Sequence, residues 1–147
     1  MSTVHDILSV KGSLVHTISG SSSVADAIKK MTDKQVGCLV VIRDDSSVSG
    51  IISERDVMRR LAAGQEDLSK LPVSDVMTAE VIVCTYSDGL NRVRSIMKTH
   101  WVRQIPVIAE DGKLLGIISI GDVNAYLIGE EETEIKYLHD YIHGHVR

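Results

Sequence analysis

The chain has 147 residues, 44% of them hydrophobic and 3% aromatic, and carries a formal net charge of −4. That suits one ordinary domain or two very small ones with enough apolar content for a core. A net negative charge without a basic block argues against nucleic acid as a partner, and no apolar run approaches the roughly 18 residues of a membrane span. With no leader pattern at the start, the chain is expected to be cytoplasmic, with no membrane partner. Cys38 and Cys84 sit in apolar runs and read as buried, reduced residues rather than as a disulfide.

In chain order, residues 4–8 make a helical turn and Lys11, Gly12 and Ser13 a loop in which glycine permits an unusual backbone angle. Residues 14–18 alternate as a short strand. Ser19 to Ser23 supply turn chemistry and a helix N-cap. Apolar residues at 24, 27, 28 and 31 predict a helix over 24–34, broken by Gly37. Residues 38–42 form a continuous apolar strand, and Asp44 to Ser47 turn the chain into a second strand over 48–52. A helix follows over 55–63 and stops at Gly64, and residues 65–72 read as a polar linker ending in Pro72.

The same order then returns: a turn at 73–77, a strand at 81–85, a helix at 90–100, strands at 105–108 and 114–118, and a helix at 122–128. Residues 130–143 read as a further helix, with Ile135, Leu138 and Ile142 at helical spacing and Glu130 to Glu132 near its N-terminus, where the dipole favours negative charge.

This return is a true internal repeat. Residues 50–56 read GIISERD and residues 116–122, at an offset of 66, read GIISIGD. Val24, Met31 and Val36 match Leu90, Met97 and Val102 at the same offset, while residues 4–8 match 73–77 at an offset of 69. The difference is a small insertion near Lys11 to Ser13. The first repeat is 4–64, the linker 65–72, the second repeat 73–128 and the C-terminal helix and tail 129–147. One unit of about 60 residues buries too little surface to stand comfortably alone, so the two are expected to pack together.

Each strand-to-helix junction carries Ser-x-x-Asp: Ser53 with Asp56, and Ser119 with Asp122. The plain reading is a capping box at a helix N-terminus. The functional reading is a helix end and hydroxyl facing phosphate or ribose, with the carboxylate accepting both hydroxyls of the ribose diol. The two are compatible, because capping and binding use neighbouring atoms.

The duplication, the β-α-β-β-α order and GIIS-x-x-D together resemble the cystathionine-β-synthase (CBS) domain family. The match is carried by VHTI, SVADAIKKM, GCLVVI and GIISERD in the first repeat and VIVCT, GLNRVRSIM, RQIPVI and GIISIGD in the second. The resemblance implies a stand-alone CBS pair of α/β (α+β) class, two repeats packed sheet to sheet with pseudo-two-fold symmetry. It implies a regulatory module without catalytic residues, catalytic cofactor or metal, which holds an adenosine ligand in clefts between the repeats. AMP is the foremost ligand, followed by ADP, ATP, NAD(H) or S-adenosylmethionine. The module would form a homodimer through residues 4–8, the repeat helices and residues 130–143, and signal by a change of shape to an unidentified regulated protein.

Carried over residue by residue, the resemblance puts Ser119, Asp122 and Ile117 in one cleft with Lys11, Gly12, Ser13, His16, Thr17, Val36 and Gly37 of the other repeat. Apolar side chains would sandwich the adenine, backbone near His16 and Val36 would read its edge, and Lys11 would meet phosphate as a mobile charge. The other cleft would take Ser53, Asp56, Arg55 and Ile51, with Ile82, Cys84, Val102 and Arg103 from the second repeat. There Thr78, Ala79 and Glu80 stand where the Lys11 loop was. Glu80 would repel phosphate, whereas Arg55 and Arg103 would grip a di- or triphosphate or a dinucleotide. Arg55 also reads as an ordinary solvated helix residue.

Trp101, the single tryptophan, would pack at a cleft rim or stack on a ligand. His139 and His143 are four apart on a helix, as zinc ligands often are, yet no cysteine joins them, and with His145 they read as a solvated or interface group. Two other readings compete with the sensor. A ligand-independent interaction module has no need of a paired Ser-x-x-Asp. A nucleotide hydrolase lacks a metal cluster or an evident base.

Overall fold

Ser23 opens the first long helix as its sequence requires, its hydroxyl accepting the Asp26 N–H at 3.1 Å. In the computed structural model, which describes residues 1–65 and 67–142, the order is α1 (Val4–Lys11), β1 (Thr17–Ser19), α2 (Val24–Lys34), β2 (Cys38–Ile42), β3 (Val48–Ser53) and α3 (Glu54–Ala62). There follow α4 (Val73–Val76), α5 (Leu90–His100), β4 (Gln104–Ile108), β5 (Leu114–Ser119) and α6 (Ile120–Ile142). In the first sheet β1 runs parallel to β2, and β2 antiparallel to β3; the second sheet pairs β4 with β5.

The repeat is reproduced down to the hydrogen-bond register. Cys38 pairs with Ser53 and Gln104 with Ser119; the irregularity between Val41 and Ile42 recurs between Val107 and Ile108. The tips of the two hairpins meet through a bridge from Ser47 to Lys113 and a bond from Leu114 N–H to the Ser46 carbonyl at 3.1 Å. This is the mixed α/β, two-sheet architecture with pseudo-two-fold symmetry that the duplication predicts.

The expected strand at 81–85 is not formed. Only Cys84 bridges to Val107. The cause is Pro106. In the first repeat, Val40 N–H bonds the His16 carbonyl at 3.1 Å. At the offset of 66 these positions become Pro106 and Ile82, and proline has no N–H to give. The ladder therefore shrinks to the single Cys84 step. The strand predicted over 14–18 is likewise shorter and later, and α2 stops at Gln35, held left-handed at φ 56°, before Gly37 is reached.

At the C-terminus, the predicted break before residue 130 is absent. Helix α6 runs unbroken for 23 residues through Gly129. A mid-helix glycine costs only about 1 kcal/mol relative to alanine, and the Glu-rich stretch after it favours helix. Glu130 to Glu132 therefore lie mid-helix and have no N-terminal dipole to stabilise them. The linker is also more than a tether: Leu68, in a 3₁₀ turn over Leu68–Lys70, is 5% exposed and joins the first core.

The cores exchange their leading helices. Val4, Ile7 and Leu8 of α1, at the head of the first repeat, pack into the core of the second with Leu90, Val93, Ile105 and Ile118. Val73 and Val76 of α4 pack into the first core with Val24, Leu39, Val41 and Ile52. Matching bridges, Thr3 to Gly89 and Ser23 to Pro72, hold each exchange. The apolar residues Val4, Ile7 and Leu8 are thus spent inside the chain, while His5 between them stays exposed. Gly50 and Gly116 mark where the exchanged helices land. A Cβ on Gly50 would lie 2.5 Å from Met77 Sδ and 2.8 Å from the Thr78 carbonyl, and one on Gly116 would lie 3.0 Å from a Leu8 methyl. Each repeat is finished by the other's first helix, so neither half carries a complete core alone.

Candidate functional site

Both Ser-x-x-Asp motifs form the capping boxes that their spacing predicts. Ser53 N–H donates to Asp56 Oδ2 at 2.9 Å, and Ser53 Oγ accepts the Asp56 N–H at 3.3 Å. Ser119 N–H donates to Asp122 Oδ2 at 2.9 Å, and Ser119 Oγ accepts the Asp122 N–H at 3.0 Å. Each box opens α3 or α6 at the floor of a cleft of about 390 Å³ whose other wall belongs to the opposite repeat. That volume lies within the range of small-molecule sites.

The first cleft brings together Ile117, Ser119 and Asp122 with Lys11, His16, Val36 and Gly37. Leu14, Val15, Gln35, Cys38 and Gln104 complete its lining. Gly12, with φ 92°, and Ser13 stand exposed outside it, and Thr17 lines a separate groove with Lys30 and Arg43. Thr17 begins β1, paired with Val40.

The second cleft brings together Ile51, Ser53, Arg55 and Asp56 with Val102 and Arg103. Ile82 and Cys84 do not line it. Cys84 is 3% exposed in the second core with Ile82 packed against that core; Ile18, which matches Cys84 at the offset of 66, packs against the first core in the same way. Their places are taken by Thr78, Trp101, Arg59 and Glu54. Thr78 arrives with the exchanged α4, bonded to Ile51 through both backbone groups at 3.0 and 2.9 Å. Arg59 was legible as one helical turn beyond Asp56. Trp101 matches Gln35 at the offset of 66, and both hold φ 56° at a helix end. It is 87% exposed and lines the cleft, so it does not pack against the rim.

Cys38 and Gln104, repeat equivalents, line both clefts, which places the pseudo-two-fold between them. Burial, reinforced by Asp56 and Glu54, pushes the Cys38 thiol up to about 11. Burial pushes Cys84 up to about 12. Both are free, protonated thiols near neutral pH, unsuited to nucleophilic chemistry.

The two aspartates differ. Asp56 is 7% exposed. Its Oδ1 accepts the Thr78 hydroxyl at 3.1 Å, with Arg59 Nη1 at 3.5 Å. Asp122 is 26% exposed, and its Oδ2 also takes Lys11 Nζ at 2.6 Å. Partial burial pushes the Asp122 carboxyl up, but hydrogen bonds from Lys11 and Ser119 outweigh it and hold the group below its ordinary 3.8. Among the described residues no cluster of three or more His, Cys, Asp or Glu is arranged to hold a metal, and no helix is long and apolar enough to cross a membrane. His139 lies on α6; His143 and His145 fall outside the described residues.

Comparison with known proteins agrees with this geometry. The CBS domain family model matches residues 3–63 and 73–129. The chain is 33% identical to the CBS domain-containing protein CBSX3, mitochondrial, of Arabidopsis thaliana, over 97% of this chain and 72% of that one. The CBS-domain containing protein ATU1752 from Agrobacterium tumefaciens is similar in structure, with a TM-score of 0.77 and 34% identity, covering 84% of this chain and 91% of that one. CBSX2 from Arabidopsis thaliana, solved in complex with AMP, gives a TM-score of 0.74 and 27% identity over 89% of this chain and 99% of that one. With two family matches, exchanged cores and one capping-box cleft per repeat, this chain belongs to the CBS domain family, as a tandem CBS pair.

Proposed function

We propose that the chain is a regulatory module that binds an adenosine nucleotide in its two clefts and signals the bound state to a partner protein. The observation that carries this reading is the pairing of each Ser-x-x-Asp box with a cleft walled by the opposite repeat. A capping box needs no such cavity, and it occurs twice. The AMP complex of the similar CBSX2 supports the ligand class. In this reading Asp56 and Asp122 accept ribose hydroxyls, Ile51 and Ile117 flank the base, and Arg55, Arg59 and Arg103 favour phosphate in the second cleft. AMP is the foremost candidate; ADP, ATP, NAD(H) and S-adenosylmethionine follow. The protein acts as a cytoplasmic homodimer, and ligand selects one dimer arrangement by differential affinity. Exposed Met58 and Leu61 beside Ile28 on α2 and α3, and exposed Ile135, Leu138 and Ile142 on α6, are the apolar surfaces that support such a contact.

Isothermal titration of AMP, ADP, ATP, NADH and S-adenosylmethionine into the protein, beside Asp56→Ala and Asp122→Ala, tests this. The expected result is binding that loses one site in each variant. No heat from any of the five ligands, on protein free of carried-over nucleotide, would leave a ligand-independent interaction module.

A further inference from the structure

Lys11 is the last residue of α1, and the helix exchange delivers it to the first cleft. Its ammonium donates to Asp122 Oδ2 at 2.6 Å and to the Ile117 carbonyl at 2.9 Å. Those are groups that a nucleoside in this cleft has to meet: the carboxylate that takes the ribose diol and the backbone of the wall beside the base. Asp122 Oδ2 already accepts the Ser119 N–H, so ribose and ammonium compete for what remains of one carboxylate. The second cleft holds its aspartate differently, with the cation Arg59 on the same helix and at the longer distance of 3.5 Å from Asp56 Oδ1. Glu80 holds the position that matches Lys11 at the offset of 69, and the hydrogen bond to Asp56 Oδ1 comes from the neutral hydroxyl of Thr78 at 3.1 Å.

Resting on the nucleotide-cleft reading, we propose that Lys11 is a specificity-determining residue of the first cleft, a displaceable cation that disfavours uncharged nucleosides and favours those carrying a phosphate. A neutral nucleoside that reaches Asp122 breaks a charge-assisted bond and offers the ammonium nothing in return. A phosphorylated one supplies a new anion within the sweep of the lysine's flexible four-carbon stem. Asp122 is held ionised by its hydrogen bonds, so the competition persists at neutral pH.

The test is titration of the wild-type chain, Lys11→Met and Lys11→Arg with adenosine and with AMP. Trp101 lines only the second cleft, so its emission marks filling of that cleft, and heat without an emission change belongs to the first. Lys11→Met is expected to weaken AMP about tenfold, the value of one charge-assisted hydrogen bond, and to tighten adenosine a few-fold. Lys11→Arg is expected to keep the preference for AMP. Lys11 is a surface residue, and a thermal melt confirms that each variant folds. An AMP-to-adenosine ratio unchanged in Lys11→Met, in a first cleft that still loses AMP in Asp122→Ala, overturns this proposal alone. Absence of first-cleft binding for both ligands in every chain overturns the nucleotide reading beneath it.

Discussion

The two clefts share one plan and differ in how each aspartate is held. In the second, Asp56 is nearly buried and fastened by Ser53 and Thr78, with arginines around it. In the first, Asp122 is partly open and answers to a single movable lysine. Duplication has preserved what backbone geometry demands, namely the glycine, the strand register and the capping box. It has let the other residues that line the clefts diverge. On the nucleotide reading proposed above, the second cleft would serve as a fixed polyanion site and the first as one gated by Lys11.

The largest expected effect that tests this comparison comes from the landing glycines. Gly50→Ala forces a Cβ onto the Thr78 carbonyl, which belongs to backbone and cannot swing away, and should cost about 3 kcal/mol in urea unfolding. Gly116→Ala meets only the methyls of Leu8 and should cost about 1 kcal/mol. Equal costs would break the claimed asymmetry. Next come the aspartates. Asp56→Ala removes a cap and orphans the Thr78 hydroxyl, for about 2 kcal/mol, whereas the more exposed Asp122→Ala should cost about half as much and leave Lys11 in solvent.

Pro106→Val should be nearly neutral in stability, because a ladder bond of about 1 kcal/mol is offset by greater freedom of the unfolded chain. It should nonetheless create an exchange-protected amide at 106 and extend pairing to Ile82. An unprotected amide there would refute the explanation of the missing strand. Smallest is a pH effect. The folded-state value of Asp122 lies below its ordinary 3.8, so its partners add stability above that value, and this is lost as pH falls towards the folded value. Lys11→Met should flatten that loss, measured as urea midpoints below about pH 5.

Much of this was legible beforehand. Apolar spacing located Val24–Lys34 and Leu90–His100 to the residue, and the offset of 66 recurs in the paired registers of the two hairpins. Three features were hidden for identifiable reasons. Pro106 looks harmless inside an apolar run, and only the partner amide at Val40 reveals the bond it removes. Helices α1 and α4 stand at the head of their own repeats in sequence, so nothing local shows that each serves the other. Of the site residues, Thr78 reads in the sequence only as part of the loop replacing Lys11 to Ser13 and Trp101 as a rim or stacking residue; the lining role of the first comes with the exchanged helix, and that of the second with a left-handed cap where an aromatic is unexpected. Ile82 and Cys84 were misplaced because their side chains pack on the core of the second repeat, as Ile18 does on the first.

The most direct test of the central claim, that each repeat junction holds a nucleotide, is a titration of ¹⁵N-labelled protein with AMP followed by amide chemical shifts. The account predicts two clusters of shifted amides, one at Gly37, Cys38, Gln104, Ser119 and Asp122, the other at Ser53, Asp56, Thr78, Trp101 and Arg103. Shifts confined to the exposed face of α6, or none at saturating AMP, would contradict it.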